Sequence, residues 1–264
     1  QFAPEVNYVG GTTPIAVAAG DFNGDDLIDL ASISFGSNSL GLALATGKGR
    51  FAAARVYRSS QSPTYAALAD FNGDQKPDPM FVSASGNLLL LLKTASGFDR
   101  VMLPAMPGEE SKTTAVAVAD FNADGKVDIA ATNFITGDLV VMLGDGRGAF
   151  GQPASYGVGH DPTGVVIADV DADGRADLAV SNATSRDITV LRGDGSGRFG
   201  AAVTFDVGAQ PASIATGDFN GDRVADLATV NPRQLNVSVL FGNGRGSFGK
   251  PLMLEGARTA RHII

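Results

Sequence analysis

One nine-residue pattern, with an acid or amide at positions one, three, five and nine, recurs five times along this chain. The copies read DFNGDDLID from Asp21, DFNGDQKPD from Asp70, DFNADGKVD from Asp120, DVDADGRAD from Asp169 and DFNGDRVAD from Asp218. Their first aspartates lie 49, 50, 49 and 49 residues apart. A fixed period of that length indicates one array of repeats rather than one or two ordinary domains. In a tight loop, alternate side chains can point at one centre, and calcium is held by about six to eight oxygens. The spacing therefore predicts five calcium loops, holding up to five Ca²⁺. The side-chain ligands are Asp21, Asn23, Asp25 and Asp29 in the first loop and Asp70, Asn72, Asp74 and Asp78 in the second. They are Asp120, Asn122, Asp124 and Asp128 in the third, Asp169, Asp171, Asp173 and Asp177 in the fourth, and Asp218, Asn220, Asp222 and Asp226 in the fifth. Backbone carbonyls at position seven complete each set: Leu27, Lys76, Lys126, Arg175 and Val224. Plain Asx turns use the same residue types, but such a turn needs no acid at position nine. Gly125 at position six relieves the sharp turn, because glycine tolerates positive φ. Asp26, Gln75 and Arg223 stand there in loops one, two and five, and Pro77 precedes Asp78.

The rest of each repeat is short strands and turns. In the third repeat Thr114–Ala119, Asp128–Thr132 and Asp138–Leu143 are apolar, strand-length runs, and the turn Gly144–Gly148 leads into the more polar run Ala149–Val158. The fourth repeat follows the same order. Such runs without helical periodicity indicate an all-β chain. Four antiparallel strands in about 40–50 residues is the size of a propeller blade. The expectation is a single β-propeller of five four-stranded blades spanning residues 1–264, with the calcium loop between strands one and two. Phe2–Val9 resembles an outer strand that would close a ring against the last blade, but Phe248–Leu254 is a fourth strand as well. Either the last blade has five strands, or one terminal strand is displaced, or the chain is cut from a larger ring, and a closed five-bladed ring is the expectation. In the second repeat the turn Thr94–Phe98 lacks the GDGRG form, and the longer loop Pro104–Lys112 follows its outer strand.

The DFNGD-type loops and GDGRGAFG-type segments together resemble the FG-GAP (VCBS-type) repeat family, which includes integrin α-subunit heads and calcium-bearing, lectin-like propellers. The resemblance spans all five repeats. It implies a calcium-bearing β-propeller, usually secreted or at the cell surface, and carries the family's calcium ligands onto the loop positions named above. The chain starts at Gln1 without Met, as it does where a leader has been removed or the chain trimmed. Loops of this type often suit extracellular, up to millimolar, calcium, which agrees with secretion.

Composition narrows the function. The net charge of −8 argues against nucleic-acid binding. Yet 16 of the 28 acidic residues occupy the loop ligand positions, so the acidity is mostly a metal-site property. The chain has no Cys and therefore no disulfide or thiol site. No apolar run reaches the roughly 18 residues that suggest a membrane span.

Several motifs have plain structural readings. The GxGxxG strings at Gly146–Gly151, Gly195–Gly200 and Gly244–Gly249 lie between two strands, whereas a dinucleotide fingerprint opens a helix. Arg192-Gly193-Asp194 matches an integrin-binding tripeptide, but its Gly-Asp belongs to the repeating turn. Asn133, Asn182 and Asn231 recur with spacing 49 and are expected to hold bends as Asx residues rather than to contact sugar. Asn182-Ala183-Thr184 and Asn236-Val237-Ser238 are glycosylation sequons. His160-Asp161 is the one candidate catalytic pair, with no partner nucleophile in sight. The expectation is a protein that is not an enzyme.

Strand alternation puts the calcium loops and GDGRG turns on one face of the blades, and the strand two–three bends and blade-to-blade connections on the other. The second face varies from repeat to repeat, and variable loops on a rigid scaffold commonly carry binding. The candidate ligand-binding residues there are Phe134, Arg186, Asp187, Arg233, Gln234, His160 and Asp161. The expected role is an extracellular adhesion module for a protein or glycan. The absence of Trp tilts that choice toward protein, because sugars commonly stack on aromatic faces. The alternatives are a calcium-dependent polysaccharide lyase or hydrolase, and a module of a larger adhesin.

Overall fold

A computed structural model describes residues 7–8, 10–58, 63–83, 86–94, 97–103 and 112–256. Most of Phe2–Val9, the Ser60-Gln61 bend and nearly all of Pro104–Lys112 lie outside them. The described residues form five four-stranded antiparallel sheets and one two-stranded ribbon, with no helix. Accordingly, among the described residues no helix is long and apolar enough to cross a membrane.

Blade one is built of Pro14–Gly20, Asp29–Ser34, Ser39–Ala43 and Arg55–Arg58, with the ribbon Ala45–Gly47 and Arg50–Phe51 beside it. Blade two is Pro63–Ala69, Asp78–Ser83, Leu88–Thr94 and Gly97–Met102. Blade three is Thr113–Ala119, Asp128–Asn133, Asp138–Met142 and Ala154–Gly157. Blade four is Pro162–Ala168, Asp177–Asn182, Asp187–Leu191 and Val203–Asp206, and blade five is Ser213–Gly217, Asp226–Asn231, Asn236–Leu240 and Leu252–Glu255. In each, consecutive strands pair as antiparallel neighbours, so the meander expected of a propeller blade is present five times.

The outer strands are shorter than the sequence pattern suggests. In blade three the polar run from Ala149 forms a ladder only over Ala154–Gly157, after an isolated bridge between Gly144 and Phe150. The Gly-rich turn absorbs the intervening residues. The outer strands of blades four and five begin late in the same way.

Contacts divide the chain into two compact units: Gln1–Ala105 with Gly146–Ala149, and Met106–Asp145 with Phe150–Ile264. The first holds blades one and two around Phe22, Ile33, Leu42, Tyr57, Phe81 and Leu91. In the second, blades three and four share a core that includes Phe121, Leu139, Val165, Leu178 and Phe199, and blades four and five share one around Val170, Ile188, Ile214 and Leu240. The second strands of blades two to five are buried along their whole length. A strand covered on both faces reads as a continuous apolar run rather than an alternation, as DIAAT and DLAV do.

Candidate functional site

The five loops between strands one and two share one hydrogen-bond scheme. Position nine is the first residue of the second strand, and it is buried in every copy: Asp29, Asp78, Asp128, Asp177 and Asp226. Its Oδ2 accepts the backbone N–H of position two, from Phe22, Phe71, Phe121, Val170 and Phe219, at 2.8–3.0 Å. Its Oδ1 accepts an N–H beyond the end of the third strand in blades one and three to five: Ala45 at 2.7 Å, and Gly144, Gly193 and Gly242 each at 2.8 Å. In blade two the donor is Lys93, within the third strand, at 3.4 Å. One carboxylate thus ties loop, second strand and third strand together. This is a role for the ninth acid that sequence spacing alone does not reveal.

Burial is costly for a charge. It pushes the Asp78 carboxyl up to about 7 despite its two N–H bonds, with the nearby Asp74 and Asp70 charges adding to the rise. Burial raises Asp29, Asp128 and Asp177 in the same sense. The first-position carboxylate of loop five moves the other way. Asp218 is held below the usual carboxylate range by the backbone N–H of Arg223, joined by those of Gly221, Asp222 and Asn220 and opposed by partial desolvation.

The loop centre gathers oxygen donors. In the fourth loop, oxygens of Asp169, Asp171 and Asp177 lie within 4.8 Å of one another. Asp171 Oδ1 and Asn23 Oδ1 are buried without a hydrogen-bond partner. Orphaned buried acceptors are costly unless something donates to them or coordinates them. A convergent, all-oxygen donor set is the kind that a hard divalent cation such as Ca²⁺ takes. The residues present therefore fit calcium.

The loop backbone also explains the departures at position six. Both positions four and six take left-handed φ. Position four does so at Gly24, Gly73, Ala123, Ala172 and Gly221, and position six at Asp26, Gln75, Gly125, Gly174 and Arg223. Each loop places glycine at one of the two and a side-chain-bearing residue at the other. Asp26, Gln75 and Arg223 are therefore compensated within their own loops by the glycine two residues earlier.

On the opposite face, the second unit forms a pocket of about 580 Å³. Its wall includes Phe134, Asp161, Thr184, Gln210, Pro211 and Arg233. Phe134 belongs to the strand two–three bend of blade three, Thr184 to that of blade four and Arg233 to that of blade five. Asp161 and Gln210 lie on the connections into blades four and five. Lys112 Nζ sits 4.5 Å from the centre of the Phe134 ring, a cation–π arrangement. Asp161 accepts a hydrogen bond from the Thr184 hydroxyl, which joins a connection to a bend. Thr163 Oγ1 bonds the Pro211 carbonyl at 3.0 Å and Thr114 Oγ1 the Pro162 carbonyl at 2.6 Å, fixing the spacing of successive first strands.

Of the expected ligand-binding residues, Phe134, Asp161 and Arg233 line this pocket. Gln234 instead accepts the Gln210 N–H and borders a separate shallow hollow with Leu235. His160 is exposed, and its backbone N–H bonds the Ser185 hydroxyl. Arg186 takes left-handed φ at the bend. Asp187 accepts from Asn182 Nδ2 at 2.7 Å and is raised by burial. Thr184, Gln210 and Pro211 escaped sequence reading. Their signal was the recurrence of blade-to-blade connections at matched register.

The other motifs resolve as internal structure. Asn182 and Asn231 are buried and bridge to the next strand, through Thr189 and Ser238, while Asn133 Oδ1 accepts the Ile135 N–H as an Asx bend does. Both sequon asparagines, Asn182 and Asn236, are buried. Arg192 pairs with Asp171 at 3.5 Å, Gly193 N–H is held by Asp177, and Asp194 accepts from Ser196, so the Arg-Gly-Asp string is committed to its own blade.

The repeat profile described as FG-GAP-like repeat matches residues 21–80, 70–131, 120–180 and 178–229. The chain belongs to the FG-GAP-like repeat family. No curated protein sequence matches it. Among solved structures, BBS1N in complex with ARL6DN is similar with a TM-score of 0.63 at 14% identity, over 94% of this chain and 70% of that one. The periplasmic gluconolactonase PpgL of Pseudomonas aeruginosa gives 0.63 at 17% identity, over 88% and 68%. A catalytically inactive virginiamycin B lyase from Staphylococcus aureus, with quinupristin, gives 0.60 at 14% identity, over 94% and 71%. At such identities the likeness shows the fold alone, an all-β propeller.

Proposed function

We propose that this FG-GAP-like chain is a calcium-stabilised binding module acting outside the cytoplasm, which takes a protein or glycan at the pocket of the variable face. One observation carries the reading: bends and connections of three successive blades converge on that pocket, with an aromatic ring, an acid and a guanidinium in its wall. Pockets with an apolar surface and a few placed polar groups are the usual form of a ligand site. Arg233 offers a planar fork for carboxylate or amide oxygens, Asp161 an acceptor, and Phe134 a flat surface.

A protein ligand is favoured over a glycan by the lack of Trp anywhere in the chain. The complex formed by BBS1N is a precedent for protein binding on this fold. The second reading is an enzyme acting on a polysaccharide; the gluconolactonase and the virginiamycin B lyase support it only in being enzymes of similar fold. Against it, among the described residues that line the pocket Asp161 is the one carboxylate and there is no histidine, whereas glycoside hydrolysis commonly needs two carboxyl groups.

Bound calcium would neutralise the clustered carboxylates of each loop. The chain's own part is to orient the donors. Position-one aspartates fold the loop around themselves through backbone N–H bonds, and position-nine aspartates anchor it to the second and third strands. The direct test is a glycan array and a pull-down in millimolar calcium, each with an EGTA arm. The expected result is a ligand whose affinity falls about tenfold or more in Arg233→Ala and Phe134→Ala. A ligand bound equally by both variants contradicts the pocket assignment.

A further inference from the structure

We infer that Asn23, Asn72 and Asn220 are sites of spontaneous deamidation, slowed when a cation occupies their loops. The slowing rests on the calcium reading above; the deamidation does not.

In loops one, two and five the position-three asparagine is followed by glycine: Asn23-Gly24, Asn72-Gly73 and Asn220-Gly221. Without a Cβ, the glycine nitrogen is open to the preceding side chain. All three glycines are exposed, so water reaches the site. Each glycine N–H also points at the position-one carboxylate. Gly24 donates to Asp21 at 2.6 Å, Gly73 to Asp70 at 2.7 Å and Gly221 to Asp218 at 2.7 Å. Each bond fixes the glycine nitrogen in the tight turn beside its asparagine. Loops three and four are built differently. Ala123 and Ala172 follow Asn122 and Asp171, and the first-position carboxylates hold Asp124 and Gly125, and Asp173 and Gly174.

The reaction is an internal acyl transfer. The glycine nitrogen attacks the asparagine Cγ, a N–Cγ bond forms, and the Cγ–Nδ2 bond breaks. The nitrogen's proton passes to water, and the amide departs as ammonia. Water then opens the five-membered imide at either carbonyl, giving aspartate or isoaspartate. One water is consumed, one ammonia is released, and nothing is oxidised or reduced. Aspartate at position three gives the loop the acidic set already present at Asp169, Asp171 and Asp173. Isoaspartate lengthens the main chain by a methylene and puts every later ligand out of register. A cation on asparagine Oδ1, with Nδ2 held by the position-five carboxylate as in Asn23 to Asp25 and Asn220 to Asp222, keeps Cγ from turning toward the glycine nitrogen.

The experiment is peptide mass spectrometry on the whole chain aged in calcium or in EGTA, reading the replacement of amide by hydroxyl and the separated isoaspartyl peptides. Two controls lie in the same molecule: Asn122, followed by Ala123, and Asn243-Gly244 in a turn outside the loops. In EGTA the three sites are expected to convert while Asn122 persists. In calcium they slow about tenfold or more, a barrier change of about 1.4 kcal/mol, and Asn243 keeps one rate in both. Gly221→Ala tests the attack itself. A Cβ there meets nothing within 4 Å, and Ala172 holds the matching backbone at φ 60°, although loop five, with Arg223 at position six, is then left without glycine at either left-handed position. This variant is expected to protect Asn220 alone. Conversion of the three sites no faster than Asn122 in EGTA overturns the inference, as does an unchanged Asn220 rate in Gly221→Ala. Equal rates with and without calcium overturn the slowing. Titration calorimetry on the same samples then separates a bound cation that fails to protect from a loop that binds none.

Discussion

Loops one, two and five place glycine at position four of the turn, and loops three and four place it at position six. Both kinds need left-handed backbone at both positions. The first kind leaves a long or charged side chain strained at position six, at Asp26, Gln75 and Arg223; the second leaves a small one strained at position four, at Ala123 and Ala172. The contrast teaches that the turn has a fixed steric demand which either glycine halves. It also ties chemistry to sterics, because glycine at position four is what exposes the preceding asparagine to attack.

The largest effect is expected where the feature common to both kinds of loop is removed. Asp128→Ala deletes the acceptor for the Phe121 and Gly144 N–H groups. Leaving two buried donors unpaired costs about 2–6 kcal/mol at about 1–3 each, so a large loss of melting temperature is expected even without metal. Asp124→Ala, at position five of the same loop, is expected to leave the metal-free melt nearly unchanged and to lose the calcium-dependent increment. Equal losses in the two variants would show that position nine has no separate structural part.

A smaller effect sharpens the steric half. Gly125→Ala leaves loop three without glycine at either left-handed position, although the added Cβ meets no neighbour. The expected cost is about 1–2 kcal/mol in chemical denaturation, the penalty of left-handed backbone for a residue with a Cβ. Asp26→Gly, the reverse change in loop one, is expected to stabilise by less than that. A neutral Gly125→Ala would place the strain elsewhere.

Much of this was legible in the sequence. Five repeats, four strands in each, the loop positions and the variable face all follow from period, alternation and turn residues. What escaped depends on contacts distant in the chain. The ninth acid looks like one ligand among four, because its N–H donors come from position two and from residues some sixteen places later. The pocket wall combines bends and connections of successive blades, so Gln210 carries no local signal beside Arg233. The departures at position six looked like defects because the paired demand at position four shows only in the backbone angles.

The smallest expected effect lies at Asp187, outside the loops. Burial raises its carboxyl above the usual range and the Asp206 charge adds to this, against the Asn182 amide and the His160 charge. A raised folded value means that the fold holds this proton more tightly than the unfolded chain does. The stability it contributes is therefore present at low pH and is lost as pH rises through the folded value. Asp187→Asn, which mimics the protonated form, is expected to melt slightly higher than the parent at pH 7 and to converge with it near pH 4. A lower melt at pH 7 would assign the carboxylate a favourable charge interaction instead.

Calcium in the loops is expected to hold the blades together. The direct measurement is a thermal melt of the whole protein in millimolar calcium and in EGTA at one ionic strength. Binding to the folded state alone raises stability with ligand concentration, so chelation is expected to lower the melting temperature strongly and re-added calcium to restore it. A melt identical in calcium and EGTA would instead leave the five acidic loops held by their backbone hydrogen bonds alone.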